Sequence, residues 1–170
     1  ASPKVILRTT DHGAVRFNPN LYANGKVCLS ILGTWSGPAW SPVQTVSSVL
    51  LSIQSLMNKY PYHNEPGFEK EVNNKDRDAY NQFIQHETIR VAVLGMMQDP
   101  SWGDNPILNE IRDKLFLNNI PVYEEIIKRN MHLDGTPLRD MFGSRHSGNF
   151  RYGTLLQTLQ TLKEKYTPST

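Results

Sequence analysis

At Pro42 the hydrophobic pattern of this chain changes period. Ahead of it, apolar residues come in short runs separated by turn residues; behind it they recur at helical spacing. Val5-Ile6-Leu7-Arg8-Thr9 and Ala14-Val15-Arg16-Phe17 flank Asp11-His12-Gly13, a spacing that predicts an antiparallel hairpin with a glycine in its loop. Lys26 to Leu32 reads as a third strand. Asn18-Pro19-Asn20 and Asn24-Gly25 lie before the single cysteine, Cys28, with Gly33, Gly37-Pro38 and Ser41-Pro42 after it, so turns bracket the thiol.

From Thr45 onward, Val46, Val49, Leu50, Ile53, Leu56 and Met57 predict one buried helix between Pro42 and Pro61. A linker through Pro66-Gly67 leads to a second helix from about Asp78, with Tyr80, Phe83, Ile84, Val91, Leu94 and Met97 on one stripe, ended by Pro100 to Asp104. Two further helices are expected, one carrying Ile107, Leu108, Ile111 and Leu115, the next opened by Pro121 and carrying Val122, Tyr123, Ile126, Ile127 and Met131. The strongest stripe, Leu155, Leu156, Leu159, Leu162 and Tyr166, defines a last helix from about Tyr152, with the loop from Gly143 to Gly148 before it. The pattern is α+β. It also predicts an unpaired sheet edge, because a lone hairpin is marginal in water, and hence a further segment ahead of Pro3.

With 170 residues the prior is one ordinary domain. Eighteen Lys and Arg against 16 Asp and Glu give a net charge of +2, too little field to hold a phosphate backbone, so no nucleic-acid partner is expected. One cysteine forms no internal disulfide, which favours a reducing compartment. No apolar run approaches the roughly 20 residues of a bilayer span, and the first residues lack the apolar core of a signal peptide. Cytoplasm and nucleus, with no membrane partner, are the expected locations.

A lone cysteine is more often a small buried hydrophobe than a nucleophile. The surroundings of Cys28 argue for chemistry. A turn-bounded strand end gives a thiol access, and Asn20, eight residues upstream, carries a carboxamide able to serve an oxyanion. The wider string is more specific. Asn18-Pro19-Asn20-Leu21, Asn24-Gly25-Lys26-Val27-Cys28-Leu29-Ser30-Ile31-Leu32, Trp40-Ser41-Pro42, Val49 to Leu56 and Tyr62-His63-Asn64-Glu65-Pro66-Gly67-Phe68-Glu69 together resemble the active-site core of the ubiquitin-conjugating enzyme family. The resemblance covers essentially the whole chain and is greatest to a subgroup with a long C-terminal extension.

It implies an α+β fold, an antiparallel meander packed on helices, with residues 1–100 as the catalytic core and 101–170 as a helical extension. It also implies acyl transfer: Cys28 takes ubiquitin's C-terminal glycine from an activating enzyme as a thioester and passes it to a lysine amine. Asn20 stands where the family has an asparagine credited either with stabilising the oxyanion or with bracing the adjacent loop. Asn18 stands where the family usually has a structural His. Glu65 aligns with a gate acid beside the thioester, able to orient or deprotonate a lysine whose amine is otherwise charged; its bland reading is an acid before proline in a solvated loop. His63 is a second candidate there, and Ser30 a weaker one. Trp40, Ser41 and Pro42 correspond to the loop that meets ligases, lengthened here by residues 33–39, among which Trp35 is expected to cap the core. The implied partners are ubiquitin, its activating enzyme, ubiquitin ligases and a tandem ubiquitin-like modifier, with no cofactor. The resemblance does not extend to the family's first helix, where activating enzymes and ligases dock, or to its first two strands, which are expected ahead of these residues.

Three other readings compete. The histidines His12, His63, His86, His132 and His146 lack metal-ligand spacing, so no metal site is expected. A cysteine hydrolase needs a base for Cys28, and His12 or His63 are the candidates, but the local signatures of such enzymes are absent. The stronger rival is a catalytically inactive conjugating-like domain that presents ubiquitin or a scaffold surface.

Overall fold

The computed structural model describes residues 1–70, 74–99, 105–142 and 148–167. The chain divides into two compact units, Ala1–Ile84 with Arg139–Ser147, and Gln85–Leu138 with Gly148–Thr170. The sequence boundary expected at residue 100 and most of the loop from Gly143 to Gly148 lie outside the described residues.

In the first unit the expected front strands do not form ladders. Pairing is reduced to isolated antiparallel bridges, Ile6 with Lys26, Asn18 with Leu21, and Leu21 with Val27. Local hydrogen bonds have taken the backbone groups a ladder would use. Asp11, His12 and Gly13 are all left-handed, and the amides of Ala14 and Val15 both donate to the Thr10 carbonyl, at 3.0 and 2.9 Å, so this turn closes on itself. After the cysteine, the Leu29 amide donates to Thr34 Oγ1 at 3.0 Å, and Ser30–Leu32 winds into a 3₁₀ turn ended by left-handed Gly33. At Gly25, φ is +86° and a Cβ would lie 2.7 Å from the Leu7 carbonyl oxygen, so only glycine lets the two segments approach.

Helix α1, Val46–Ser55, starts at a capping box in which Thr45 and Ser48 exchange side-chain and backbone hydrogen bonds. It was expected to be a buried helix; only Val49 is buried, while Val46 is 68% and Leu50 61% exposed. Val49 joins Leu21, Val27 and Leu32 in a small core, flanked by Val5, Leu7, Leu29, Ile31, Trp40, Ile53 and Leu56. Trp35 does not cap this core: it is 50% exposed, on a loop whose Gly37 packs against Ser30. A second, aromatic group gathers Tyr62, Phe68, Tyr80 and Phe142, with Tyr80 and Phe142 edge to face at 4.8 Å. Tyr62 lies in the 3₁₀ turn Pro61–Asn64. Helix α2, Asn74–Glu87, carries Tyr80 and crosses from the first unit into the second.

In the second unit α2 continues as a π-helix, Thr88–Gly95, and one α-helical turn, Met96–Gln98. The stripe keeps its inward face: Ile89, Val91, Leu94 and Met97 are buried. Helix α3, Pro106–Arg129, is capped by Asn105, whose side chain accepts from the amides of Ile107 and Leu108. Two helices were expected here. One long helix forms with Pro121 inside it, where buried Phe116, Ile120 and Ile127 on either side offset the lost backbone bond. The apolar residues of its first half, Ile107, Leu108, Ile111 and Leu115, are exposed. Strands β1, Pro137–Leu138, and β2, Gly148–Asn149, pair antiparallel with Pro137 opposite Asn149. Helix α4, Tyr152–Tyr166, buries Tyr152, Leu155, Leu159 and Leu162, the stripe the sequence shows, and the Tyr166 hydroxyl donates to the Met97 carbonyl at 3.1 Å.

One buried polar cluster is built into this unit. Arg151 N donates to His86 Nε2 at 3.1 Å, so His86 carries its proton on Nδ1 and gives it to Glu87 Oε1 at 2.7 Å. Arg90 reaches the same carboxylate through Nε and a second nitrogen. Burial by itself raises the Glu87 pKa; the hydrogen bonds from His86 and Arg90 and the charge of Arg90 outweigh it and hold the carboxyl below its usual range. The Tyr152 phenol is pushed up to about 12, chiefly by burial and then by the Glu87 charge. No helix among the described residues is long and apolar enough to cross a membrane.

Candidate active site

The turn Asn18-Pro19-Asn20 is fixed before the cysteine is reached. Asn18 Oδ1 accepts from the Asn20 amide at 3.0 Å, an Asx turn, and the Asn18 amide group donates to the Leu56 carbonyl at 2.9 Å, which ties the turn to the end of α1. Asn18 is almost wholly buried, and its side chain has a structural task. Asn64 adds to it, donating to the Leu56 carbonyl at 3.1 Å and to Asn18 Oδ1 at 3.4 Å.

Asn20 and Cys28 are joined twice. The Cys28 amide donates to the Asn20 carbonyl at 2.9 Å, and Asn20 Nδ2 donates to the Cys28 carbonyl at 3.0 Å. The carboxamide therefore engages the cysteine's backbone. Thr34 secures the other side, its hydroxyl donating to the Val27 carbonyl at 2.6 Å. Cys28 is a free thiol, and the residue is only 2% exposed.

Glu65 follows the Pro61–Asn64 turn, and its carboxylate Oε2 lies 3.2 Å from Arg16 NH2. Arg16 also donates to the carbonyls of Pro19 and Phe142, the latter at 3.1 Å, and its guanidinium lies 4.0 Å from the Tyr22 ring centroid. His63 does not reach toward the thiol through any bond: its Nδ1 hydrogen-bonds the Phe68 carbonyl at 2.7 Å and its ring meets Tyr60 and Tyr62 edgewise. Glu69, fully exposed, accepts from the Gly67 amide, which holds its carboxyl below the usual range. Trp40 and Ser41 are half-buried and Pro42 is exposed, with Trp40 packed on the Leu21, Val27, Leu32 and Val49 core. Trp40, expected on the loop that meets ligases, is thus partly a core residue.

Asn20 with Cys28, and Glu65 on a loop tied to the same turn, are the predicted residues that the structure connects. Arg16, Asn64 and Thr34 escaped the sequence reading. Nothing local marks them, since each acts on a backbone group or a partner beyond its own element, apart from Thr34, which lies in the lengthened loop.

A family model described as "Ubiquitin-conjugating enzyme" matches residues 1–91, more than half of the chain. The chain belongs to the ubiquitin-conjugating enzyme family. Among named relatives, it is 53% identical over 163 residues to human "Ubiquitin-conjugating enzyme E2 Z", covering 96% of this chain and 46% of that protein. The Xenopus tropicalis protein of the same name is 52% identical, with 96% and 51% covered. The human "Dual E2 ubiquitin-conjugating enzyme/E3 ubiquitin-protein ligase BIRC6" is 43% identical over 124 residues, 67% of this chain and 2% of that protein. The chain spans about half the length of the E2 Z relatives it matches.

Proposed function

We propose that this chain carries ubiquitin as a thioester on Cys28 and transfers it to a lysine amine. The Cys28 thiolate attacks the carbonyl of ubiquitin bound to an activating enzyme's thiol, a new C–S bond forms, and the donor thiol leaves. An amine then attacks the same carbonyl, forming an amide and releasing Cys28. Membership of the family supports this reading, and the observation in the molecule that carries it is the double tie between Asn20 and Cys28. The bond from the carboxamide to the Cys28 carbonyl supports the loop-bracing role of Asn20 over direct contact with the oxyanion. Ubiquitin and its activating enzyme are the first partners; ligases at Trp40, Ser41 and Pro42, a tandem ubiquitin-like modifier, residence in cytoplasm and nucleus, and an extension beginning near residue 101 belong to the same proposal.

A second reading, a conjugating-like module without activity, is favoured by the near-complete burial of Cys28. Incubation with activating enzyme, ATP and ubiquitin separates them. The enzyme gives a non-reducing band shifted by one ubiquitin that thiol abolishes, and Cys28→Ser converts it to a thiol-resistant oxyester. Failure of the wild-type chain to form any adduct would leave the binding module as the answer.

A further inference from the structure

We infer that Arg16 is the positioning residue for Glu65, clamping that carboxylate to the Asn18-Pro19-Asn20 turn so that it meets an incoming lysine. The inference rests on the acyl-transfer reading above.

The geometry is that of a built clamp rather than a surface ion pair. The Arg16 side chain is 11% exposed and that of Glu65 28%. One guanidinium serves three elements: the carbonyl of Pro19, next to Asn20; the carboxylate of Glu65, 49 residues on; and the carbonyl of Phe142, 126 residues on. Its planar face rests on Tyr22 at 4.0 Å, with Phe142 at 5.6 Å on its surroundings. Arginine is suited to this because its donors diverge in a fixed plane, whereas a lysine ammonium has no such fork. The Glu65 loop is tied a second time, by Asn64 to Asn18 and the Leu56 carbonyl. Glu65 is therefore held within one guanidinium of the residue preceding Asn20.

The pair engages Oε2 only; Oε1 has no hydrogen bond among the described residues. That oxygen is the one able to accept an N–H of a substrate amine. The amine nitrogen forms its bond to the thioester carbonyl carbon as the C–S bond breaks, the thiolate of Cys28 leaves, and the amine's proton passes to water. Arg16 makes no contact with reacting atoms in this scheme; it sets where the carboxylate stands, and a misplaced group loses most of its effect.

The test uses the full-length protein, pre-charged with ubiquitin and chased with free lysine over a range of concentrations, with the rate of charging measured separately. In Arg16→Gln and in Glu65→Gln the half-saturating lysine concentration should rise and discharge should slow by at least about ten-fold relative to charging. The double variant should be no slower than the slower single variant, because both remove one function. Should Arg16→Gln fail to fold, Arg16→Lys, which keeps the charge and loses the fork, should show a smaller loss of the same kind. Discharge at the wild-type rate, losses that multiply in the double variant, or an equal fall in charging and discharge would each overturn the clamp. A wild-type chain that never charges would instead overturn the acyl-transfer reading and is recognised before any variant is made.

Discussion

Each of the two units is stabilised internally by different means. In the second, long helices bury continuous stripes, Ile89, Val91, Leu94 and Met97 from the π-helix and Leu155, Leu159 and Leu162 from α4, and the hydrogen bonds are mostly those of the helices themselves. In the first, the core around Leu21, Val27, Leu32 and Val49 is small, and its loops are fixed by side chains bonded to backbone: Asn18 to Leu56, Asn20 to Cys28, Thr34 to Val27 and Leu29. Burial scales with apolar area and tolerates small shifts, whereas a side-chain bond to one carbonyl fixes one geometry. The unit with the smaller core is the one that holds Cys28, and the acyl transfer proposed for it would depend on that fixed geometry.

The contrast can be broken from either side. The largest effect is expected from Leu159→Ala, which removes a fully buried side chain from the α4 stripe and should cost about 3–4 kcal/mol in denaturant unfolding. Hydrogen exchange should rise first in residues 85–138 and 148–167. A loss confined to the first unit would refute the division. Gly25→Ala is next: a left-handed alanine whose Cβ meets the Leu7 carbonyl should cost about 2 kcal/mol, with exchange rising around Cys28 and charging slowed. Normal charging in a destabilised variant would show that the loops need no such rigidity.

The smallest effect is a pH dependence, and it sharpens the comparison because it belongs to the second unit. The Glu87 pKa is lower folded than unfolded, so its contribution is present above the ordinary carboxylate value and is lost as pH falls through the folded value. Stability should decline below about pH 4.3. Glu87→Gln should flatten that decline; a variant whose acid limb is unchanged would remove Glu87 from the account.

What could be read from the residues follows the same division. Helix α4 was legible because its stripe repeats without interruption, and Tyr152 marks its start in both sequence and structure. Pro121 misled, since proline at a first helical position and proline on the exposed side of a long helix look alike when burial on the neighbouring turns is unknown. The front strands misled for another reason: β-forming residues at Val5 to Thr9 and Lys26 to Leu32 lie among Thr, Asn and Gly residues that capture the backbone locally. In the site, the asparagine and the cysteine were legible because they are near in sequence and match a known pattern. The Arg16–Glu65 pair was not, because a contact across 49 residues leaves no periodicity.

The wide turn between Thr88 and Gly95 bears on how such a chain tolerates change in length. Bonds closed five residues apart spread the backbone over more positions per revolution than the usual about 3.6, so this stretch carries slack in its angular phase. Losing one codon there would let the coil tighten to the usual pitch, which absorbs most of the roughly 100° by which a deletion in a regular α-helix would swing Leu94 and Met97 about the axis. Drift in gene length is thus cushioned at this point, whereas the same deletion in the regular turns of α2 would rotate everything downstream.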